Sequence, residues 1–316
     1  MSRQETTMGG EAARSPRIVV VGSSMIDLVA YADPLPAAGE TVMGSRFQQG
    51  FGGKGANQAV TARRLGADVT FVGRVGQDTF GPMTLENLRA EGIDTSTVKV
   101  VEGHSTGVAP IWVQADGTNR IIVVPGANQA LTAADVRSEI ADLPAADVVV
   151  CQLEIAEEAV AEALRIGRSW GAVTILNPAP ARASAIELFS LADWVVPNET
   201  EFALLWGTEA TDDEVRRASR EWGCGLIVTL GERGAIALVD GAMVRREPPA
   251  VDVVDTTGAG DAFVGGLSFA LASGLDVGAA LELGNLCGAL SATALGTQTS
   301  FPTREAVEAH RPAATG

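Results

Sequence analysis

The sequence predicts an α/β fold: a doubly wound, mostly parallel sheet flanked by helices, with a small antiparallel β lid. From about residue 147, short β-branched runs alternate with stretches of helical spacing, which implies parallel strands joined by right-handed crossovers. Two earlier stretches, residues 40–53 and 107–124, instead alternate apolar and polar residues without a neighbouring helix, and they lie within segments of about residues 28–52 and 104–126. We interpret them as the lid, although an irregular pair of surface loops has the same pattern.

The length and composition indicate a globular protein, either one large α/β domain or two smaller ones, that binds neither nucleic acid nor an anionic membrane. Of the 316 residues, 46% are hydrophobic and 20% are charged, as in chains that bury a large core. The formal net charge of −16 excludes the basic surface that both partners require, and no apolar run is long enough for a membrane span. Residues 1–16 contain no apolar segment and are predicted to be a disordered leader, so the domain is assigned to residues 17–316.

Histidine and cysteine are scarce, which narrows the possible chemistry. The two histidines, His104 and His310, exclude a histidine-rich metal site and disfavour a Ser-His-Asp triad. A general base is therefore expected to be a carboxylate. The three cysteines, Cys151, Cys224 and Cys287, are scattered and odd in number, which suits the reducing cytoplasm and forms no metal or disulfide pattern.

The predicted elements follow one another in a regular order. Residues 17–29 predict a buried strand that enters a loop, and residues 55–66 and 84–92 predict helices that end in glycine. Strands and helices then alternate through DVVVCQLE, AEEAVAEALRIGRSWG, AVTILNPAP, DWVVPNE, TEFALLWG, a helix near 212–222, GLIVTLG and AIALVDG. A buried helix, AFVGGLSFALASG, follows VDVV and ends near Gly274.

Polar motifs stand at the ends of the predicted strands. Glu154 ends CQLE, Asn177 ends TILN, and PNETE, with Asn198 and Glu201, follows WVV. TLGERG and DTTGAGDAF occupy the same place after two later strands. Because ligands of open α/β sheets bind beyond the carboxyl ends of the strands, we expect these groups to form a single active site.

The stretch DTTGAGDAF, residues 255–263, predicts a binding site for anionic oxygen. The first amides of the helix, from about Ala259 to Asp261, have no intrahelical acceptor, and the helix dipole favours negative charge there. Gly258 and Gly260 keep side chains out of the way. A dinucleotide-binding fingerprint would need a third glycine where Phe263 stands, so that function is disfavoured.

Asp261 has two interpretations. It is suited to cap the helix that begins here. It is equally suited to take a proton from an attacking hydroxyl beside the anion site, as phosphoryl transfer requires.

The stretch GFGGKGANQAV, residues 50–60, resembles a phosphate loop but lacks the Ser or Thr that a Walker A motif has where Gly55 stands. One interpretation is a glycine-rich turn before a helix. The other is a ligand contact, in which Asn57 offers a donor and an acceptor and Lys54 a compact ammonium group.

The motif PNETE also has two interpretations. Asn198 and Glu201 stand three residues apart at a predicted helix start, where they form a capping box or hold a hydrated Mg²⁺.

Six stretches together resemble the ribokinase branch of the PfkB sugar-kinase family over about residues 17–302. They occur in family order: GFGGKGANQA, CQLE, NPAPA, PNETE, TLGERG and DTTGAGDAF. The resemblance implies an ATP-dependent kinase that phosphorylates D-ribose at O5, with Mg²⁺ and K⁺ as cofactors. It also implies a cytoplasmic homodimer joined through the lid.

The resemblance assigns roles by position. Asp261 matches the catalytic base, the amides of Ala259, Gly260 and Asp261 match the anion hole, and Gly258 is counted with them among the catalytic residues. The sugar contacts match Met25, Asp27, Gly53, Lys54, Gly55, Asn57, Glu154 and Asp261. The nucleotide contacts match Asn198, Thr229, Gly231, Gly234, Gly260 and Asn285. The ion sites match Glu201 for Mg²⁺ through water and, for the monovalent cation, Asp255, Thr257, Ser291, Ala294, Gly296 and Ser300.

One residue departs from the family pattern. Met25 stands in GSSMID where many members of this branch have an asparagine that contacts the sugar. Methionine packs against a sugar face but cannot replace the hydrogen bonds of asparagine, so we expect weaker sugar affinity. A sibling kinase for another pentose, a ketose or a nucleoside is the alternative. A non-catalytic sugar-binding relative is a further alternative, against which the retained Asp261 and Glu201 argue.

Overall fold

The computed structural model describes residues 14–310. Residues 1–13, most of the predicted leader, lie outside this range, as do residues 311–316. Arg14 pairs with Asp147, and the carbonyl of Pro16 accepts a hydrogen bond from the amide of Asp68. Residues 14 and 16 therefore already contact the domain, although the predicted boundary is at residue 17.

The strands within residues 14–310 are β1 (Arg17–Val21), β2 (Met25–Tyr31), β3 (Arg46–Gly52), β4 (Asp68–Gly76), β5 (Val98–Val101), β6 (Gly107–Val113), β7 (Asn119–Ile121), β8 (Val148–Gln152), β9 (Val173–Asn177), β10 (Trp194–Val195), β11 (Gly225–Thr229), β12 (Ala235–Val239) and β13 (Ala242–Arg246). The α-helices in this range are α1 (Lys54–Arg64), α2 (Phe80–Ala90), α3 (Ala133–Ile140), α4 (Glu157–Ser169), α5 (Glu199–Trp206), α6 (Asp212–Trp222), α7 (Ala259–Ala272), α8 (Val277–Ser291) and α9 (Arg304–His310). None of these helices has the length and apolar content needed to cross a membrane.

The main sheet confirms the predicted doubly wound fold. Its strand order is β13-β12-β11-β10-β9-β8-β1-β4-β5, and the pairings from β11 to β5 are parallel. The strand AIALV, which the alternation placed among parallel strands, instead pairs antiparallel with β11. Only residues 230–234 join these two strands, and a parallel crossover needs a dozen or more residues.

Both faces of the sheet are covered, so its strands are apolar on both sides. Along β1, Ile18 and Val20 belong to one hydrophobic core, and Val19 and Val21 belong to the other. Helices α1, α7 and α8 supply the first core, and α3, α4 and α6 supply the second. This explains the continuous β-branched runs of the sequence, since parallel strands between two helical layers have no solvent-facing side.

The two segments predicted as the lid form a separate sheet of order β3-β2-β6-β7, so the irregular-loop alternative is wrong. The β2–β3 and β6–β7 pairs are antiparallel, whereas the central β2–β6 pair is parallel. Strands β2 and β6 pair in parallel because they come from separate passages of the chain, with α1, β4, α2 and β5 between them.

A close approach of α1 to α7 positions the candidate site. A Cβ added at Gly265 of α7 would lie 2.5 Å from the Cβ of Thr61 and 2.8 Å from the carbonyl oxygen of Gln58, both on α1. No side chain fits there, so glycine allows the two helix backbones to come together. The beginning of α7 is thereby held beside the beginning of α1.

Candidate active site

Asp261 lies in the first turn of α7, buried and in contact with α1. Its Oδ2 accepts a hydrogen bond from Asn57 Nδ2 at 2.9 Å, and its Oδ1 accepts one from Gln58 Nε2 at 3.1 Å. The residue that caps the helix is Gly258, with φ of 81°. The helix-cap interpretation of Asp261 is therefore wrong, because its carboxylate is directed toward α1 and not toward the amides of its own helix.

The predicted anion cradle is present in part. The amides of Gly260 and Asp261 have no hydrogen-bond acceptor within the described residues, and Gly260 faces open space. The amide of Ala259 differs from the expectation, because it donates to the carbonyl of Thr256 at 3.1 Å. The left-handed backbone of Gly258 closes a turn there and uses this donor before the helix begins. Two outward amides remain for an anion.

The glycine-rich stretch before α1 is a turn, as one interpretation had it, and it also brings Lys54 to the site. Gly53 has φ of 87°, a conformation that favours glycine, and α1 begins at the next residue. A Cβ at Gly55 would lie 2.7 Å from the amide nitrogen of Ser23. Glycine therefore allows this close approach, and the amide of Ala56 donates to the carbonyl of Ser23 at 2.9 Å, which holds the start of α1 against the end of β1.

Glu154 connects this turn to the end of β8. Its Oε2 accepts hydrogen bonds from the amide of Lys54 at 2.9 Å and from Ser23 Oγ at 2.5 Å. Burial lowers the pKa of Lys54, but the carboxylates of Asp261, Glu154 and Glu201 outweigh it and leave the pKa raised. Lys54 is thus a permanently charged ammonium group among three carboxylates.

Asp27 of β2 faces the same region. Burial, with the nearby charges of Glu154 and Asp261, raises its pKa to about 6, although a hydrogen bond from Thr297 Oγ1 at 3.3 Å opposes the rise. Met25 precedes Asp27 by two residues and therefore lies on the same face of the strand, with 2% of its surface exposed. The buried side chain of Met25 thus lies on the same face of β2 as a carboxyl group with a raised pKa.

A cavity of about 430 Å³ opens between the lid and the segments around residues 254–257 and 295–299, and Asp27 is part of its wall. This volume is within the range of sites that bind small molecules. The lid thus forms one side of this cavity, whereas Lys54, Asn57, Glu154 and Asp261 are not among the residues that line it.

Four of the predicted nucleotide residues lie at the ends of neighbouring elements: Asn198 caps α5, Thr229 ends β11, and Gly231 and Gly234 belong to the turn after β11. Asn198 bridges to Thr229, and a turn at Gly231–Arg233 leads to Gly234, where a Cβ would clash with the carbonyl oxygen of Arg246. Asn285 is buried on α8 and donates to that same carbonyl at 2.8 Å.

Asn198 and Glu201 form a capping box, as the first interpretation of PNETE predicted. Asn198 Oδ1 accepts from the amide of Glu201 at 2.7 Å, and Glu201 Oε2 accepts from the amide of Asn198 at 2.9 Å. Burial raises the pKa of Glu201, as does Asp261, whereas the amide of Asn198 and the charge of Lys54 lower it. Glu201 is therefore close enough to Asp261 and Lys54 for their charges to influence its pKa.

The predicted cation loop is held together by Asp255. Its Oδ1 accepts from the amide and the hydroxyl of Thr257 at 2.9 and 2.6 Å, and its Oδ2 accepts from the amide of Gly296 at 3.1 Å. Burial raises its pKa, but these donors outweigh burial and leave the pKa lowered, so the carboxylate is ionised. Ser291 and Ser300 lie on either side of Gly296 in the sequence and are buried, whereas Ala294 is exposed.

Residues 15–304 match the pfkB family of carbohydrate kinases. The chain belongs to this family. It is 42% identical to the ribokinase of Bacillus subtilis, with 92% of this chain and 98% of that one covered. It is 40% identical to the deoxyribokinase of Salmonella typhi, with coverage of 91% and 96%. Its fold is similar to that of the Arabidopsis thaliana ribokinase complexed with ribose and ATP, at a TM-score of 0.83, 30% identity and coverage of 94% and 98%.

In this pfkB-family kinase, several residues at the site were missed by sequence reasoning. Gln58 donates a hydrogen bond to Asp261, and Gln298 donates one to Asn57. The hydroxyl of Thr297 contacts both Asp27 and the carbonyl of Phe51. Only Gln58 had a local signal, since it is the neighbour of Asn57 at the start of a helix. Thr297 and Gln298 lie between Gly296 and Ser300 of the predicted cation loop, and only the folded chain places them against β2 and α1.

Proposed function

We propose that this kinase transfers the γ-phosphate of ATP to the 5-hydroxyl of D-ribose and yields D-ribose 5-phosphate and ADP. The observation that supports it is the arrangement at the start of α7. There the buried carboxylate of Asp261 lies beside the outward amides of Gly260 and its own residue. A proton acceptor next to an anion site is the pair of features that phosphoryl transfer to an alcohol requires.

In the proposed reaction, Asp261 accepts the hydroxyl proton as the sugar oxygen attacks the γ-phosphorus. The bond from phosphorus to the bridging oxygen breaks, and ADP leaves with its electron pair. The two amides and the dipole of α7 stabilise the negative charge on the transferring group. Asn57 and Gln58 hold the carboxylate in place through both of its oxygens.

The sugar is proposed to lie among Asp27, Lys54, Asn57 and Glu154. These side chains provide acceptors and donors for hydroxyl groups, and Gly53 and Gly55 permit close approach of the backbone. The named activity of the Bacillus subtilis relative, and the ribose and ATP bound to the Arabidopsis structure, support a pentose and this nucleotide.

A second candidate substrate, 2-deoxy-D-ribose, is favoured by Met25. Its buried thioether donates no hydrogen bond and accepts one only weakly, so a sugar hydroxyl against it lacks a partner. An unsatisfied hydroxyl costs about 1–3 kcal/mol, which a deoxy sugar avoids. The Salmonella typhi relative, similar to this chain to nearly the same degree as the ribokinases, is named for that sugar.

Mg²⁺ and K⁺ are proposed cofactors. Within residues 14–310, no group of three or more His, Cys, Asp or Glu residues is suited to a metal, so Mg²⁺ would rest on phosphate oxygens and on Glu201 through water. Bound Mg²⁺ neutralises charge on the phosphates.

The K⁺ site is proposed around Asp255, with Thr257, Ala294, Gly296, Ser291 and Ser300. Ser291 and Ser300 donate their hydroxyl hydrogens to the carbonyls of Gly288 and Thr297. Their oxygen lone pairs are therefore left for a cation, as a hard monovalent ion requires. Bound K⁺ would order the anion hole at the start of α7.

The lid is proposed to join two copies of the chain. Phe47, 64% exposed, and Trp112 both lie beside Ala30 and so share one face of the lid, opposite to Asp27. A second lid would cover this apolar face.

A reducing cytoplasm is the proposed location, supported by the buried thiols of Cys151 and Cys224, which form no disulfide in the described chain.

An ADP-release assay over a panel of sugars, with Mg·ATP and with or without K⁺, tests the proposal. Turnover on D-ribose supports the first candidate, and preferred turnover on 2-deoxy-D-ribose supports the second. Preferred turnover on a ketose, a nucleoside or another pentose contradicts both candidates. Sugar binding without ADP release would indicate a sugar-binding protein and would contradict the kinase assignment itself.

A further inference from the structure

Two buried glutamines, Gln58 and Gln152, form a chain of hydrogen-bonded amides that ends at Asp261. Gln58 Nε2 donates to Asp261 Oδ1 at 3.1 Å and to Asn177 Oδ1 at 3.2 Å, while Gln58 Oε1 accepts from Gln152 Nε2 at 2.6 Å. Gln58 is 1% exposed and Gln152 is fully buried. The amide chain thus runs from β8 through α1 to the proposed base on α7.

Each side-chain amide in this series can take only one orientation, because of the hydrogen bonds that its neighbours require. The carboxylate of Asp261 only accepts, so Gln58 must present its NH₂ group to it. Its oxygen then faces Gln152, which must present its own NH₂ group. Asn177 is fixed in turn, because its Nδ2 donates to the carbonyl of Val196 at 2.8 Å and its oxygen therefore faces Gln58.

With these orientations, one polar atom of the three amides has no hydrogen-bond partner among residues 14–310. Gln152 Oε1 has no hydrogen-bond partner within the described protein. It faces Gly22 at the end of β1, where an added Cβ would lie 2.1 Å from this oxygen. A buried oxygen without a donor reduces stability, and apolar side chains of similar size would avoid that loss. The chain of amides is therefore poorly explained as packing alone.

We propose that Gln58 is a positioning residue that fixes the carboxylate plane of Asp261 for proton transfer, and that Gln152 fixes Gln58. The inference rests on the proposed function. Each carboxylate oxygen has room for more than one hydrogen bond, so the donors from α1 leave a lone pair for the sugar hydroxyl. Gln58 has almost no accessible surface, so it acts through Asp261 and not on the sugar.

The test is steady-state kinetics of Gln58→Met, which keeps the length of the side chain and removes the amide. The turnover number should fall about 10- to 100-fold, as for misplacement of a reacting group, while the Michaelis constant for the sugar stays within about twofold. Gln152→Met should lower the turnover number less, because Gln58 keeps its bond to Asp261. Ser268→Ala is the matched control, since its buried hydroxyl lies on α7 and bonds only to the carbonyl of Val264.

Three results overturn the inference: unchanged turnover in Gln58→Met, an equal loss in Ser268→Ala, or a rise of the sugar Michaelis constant as large as the fall in turnover. Sugar affinity measured by calorimetry without nucleotide provides a readout that does not depend on turnover. If Gln58→Met does not fold, Gln152→Met decides by the same comparison. An inactive parent protein contradicts the proposed function, whereas an active parent with an equally active Gln58→Met contradicts only this inference.

Discussion

Asn57 donates a hydrogen bond to Asp261 across 2.9 Å, although 204 positions separate the two residues along the chain. The oxygen of the same Asn57 side chain accepts from Gln298 Nε2 at 3.1 Å, and Gln298 in turn accepts from Asn87 at 2.8 Å. The proposed base is therefore held from two directions, through Asn57 at one oxygen and through Gln58 at the other. A group held in this way can act as a base without first reorganising.

Asp261→Asn should abolish most turnover. The amide cannot accept the hydroxyl proton, and general-base catalysis contributes about 10²–10⁴-fold, so the turnover number should fall by about that factor. The Michaelis constant for the sugar should change only a fewfold. Steady-state ADP release measures both. Undiminished turnover in this variant would remove Asp261 from the mechanism.

Gly260→Ala should separate stability from activity. No atom lies within 4 Å of a Cβ built at Gly260, so alanine fits and should raise the free energy of unfolding by about 0.5–1 kcal/mol. The same methyl group would project beside the amides that are proposed to bind the phosphoryl group and should lower turnover. Urea unfolding and kinetics test the pair of effects.

Gly265→Ala is the contrasting variant for Gly260→Ala. Its Cβ would press against Thr61 and Gln58, so it should lose stability as well as activity. A stable and fully active Gly265→Ala would contradict the close approach of α1 and α7.

Asp27 should make stability depend on pH in an identifiable window. Its pKa is raised from 3.8 to about 6, so its folding contribution is fully present below about pH 4 and is lost as the pH rises through 6. The total change is up to roughly 3 kcal/mol. The Asp27→Asn protein should therefore gain stability relative to the parent between pH 4 and pH 7. Urea unfolding of both proteins across this range measures the difference, and a constant difference would contradict the shift.

Met25→Asn should favour ribose. The asparagine amide supplies the hydrogen bonds that the thioether lacks, so the Michaelis constant for ribose should fall, and the kcat/KM ratio of ribose to 2-deoxyribose should rise about tenfold or more. Met43→Asn is the control, because Met43 is 92% exposed. A higher Michaelis constant for ribose in Met25→Asn would count against the hypothesis that Met25 weakens ribose binding.

Phe47→Glu should disrupt the proposed dimer. A charge at this exposed position of the lid would be buried without a partner in a lid-to-lid contact, which strongly disfavours association. Sedimentation velocity should show dimers for the parent and monomers for the variant. Glu102→Gln changes a charge on an exposed residue outside the lid strands and should leave the dimer intact. A parent protein that is monomeric at all concentrations would exclude the proposal.

Local patterns were sufficient for most of the elements. The β-branched runs, the helical spacing of residues 55–66 and the alternation in the lid depend on neighbours a few positions apart, and the structure confirms each of them. The capping box of Asn198 and Glu201 is local in the same sense. The pairing of β12 was wrong because strand direction depends on the length of the connection as well as on the pattern of the strand.

By itself the sequence determined the fold class and the family, and it predicted which polar residues stand at the ends of the strands. The tertiary structure alone decided that Asp261 faces α1 and does not cap its own helix, that the Ala259 amide is already bonded, and that Gln58, Gln152 and Gln298 support the site. The reason is physical. Periodicity and caps are contacts between near neighbours, whereas the orientation of a buried amide depends on groups that only helix packing and sheet order bring together.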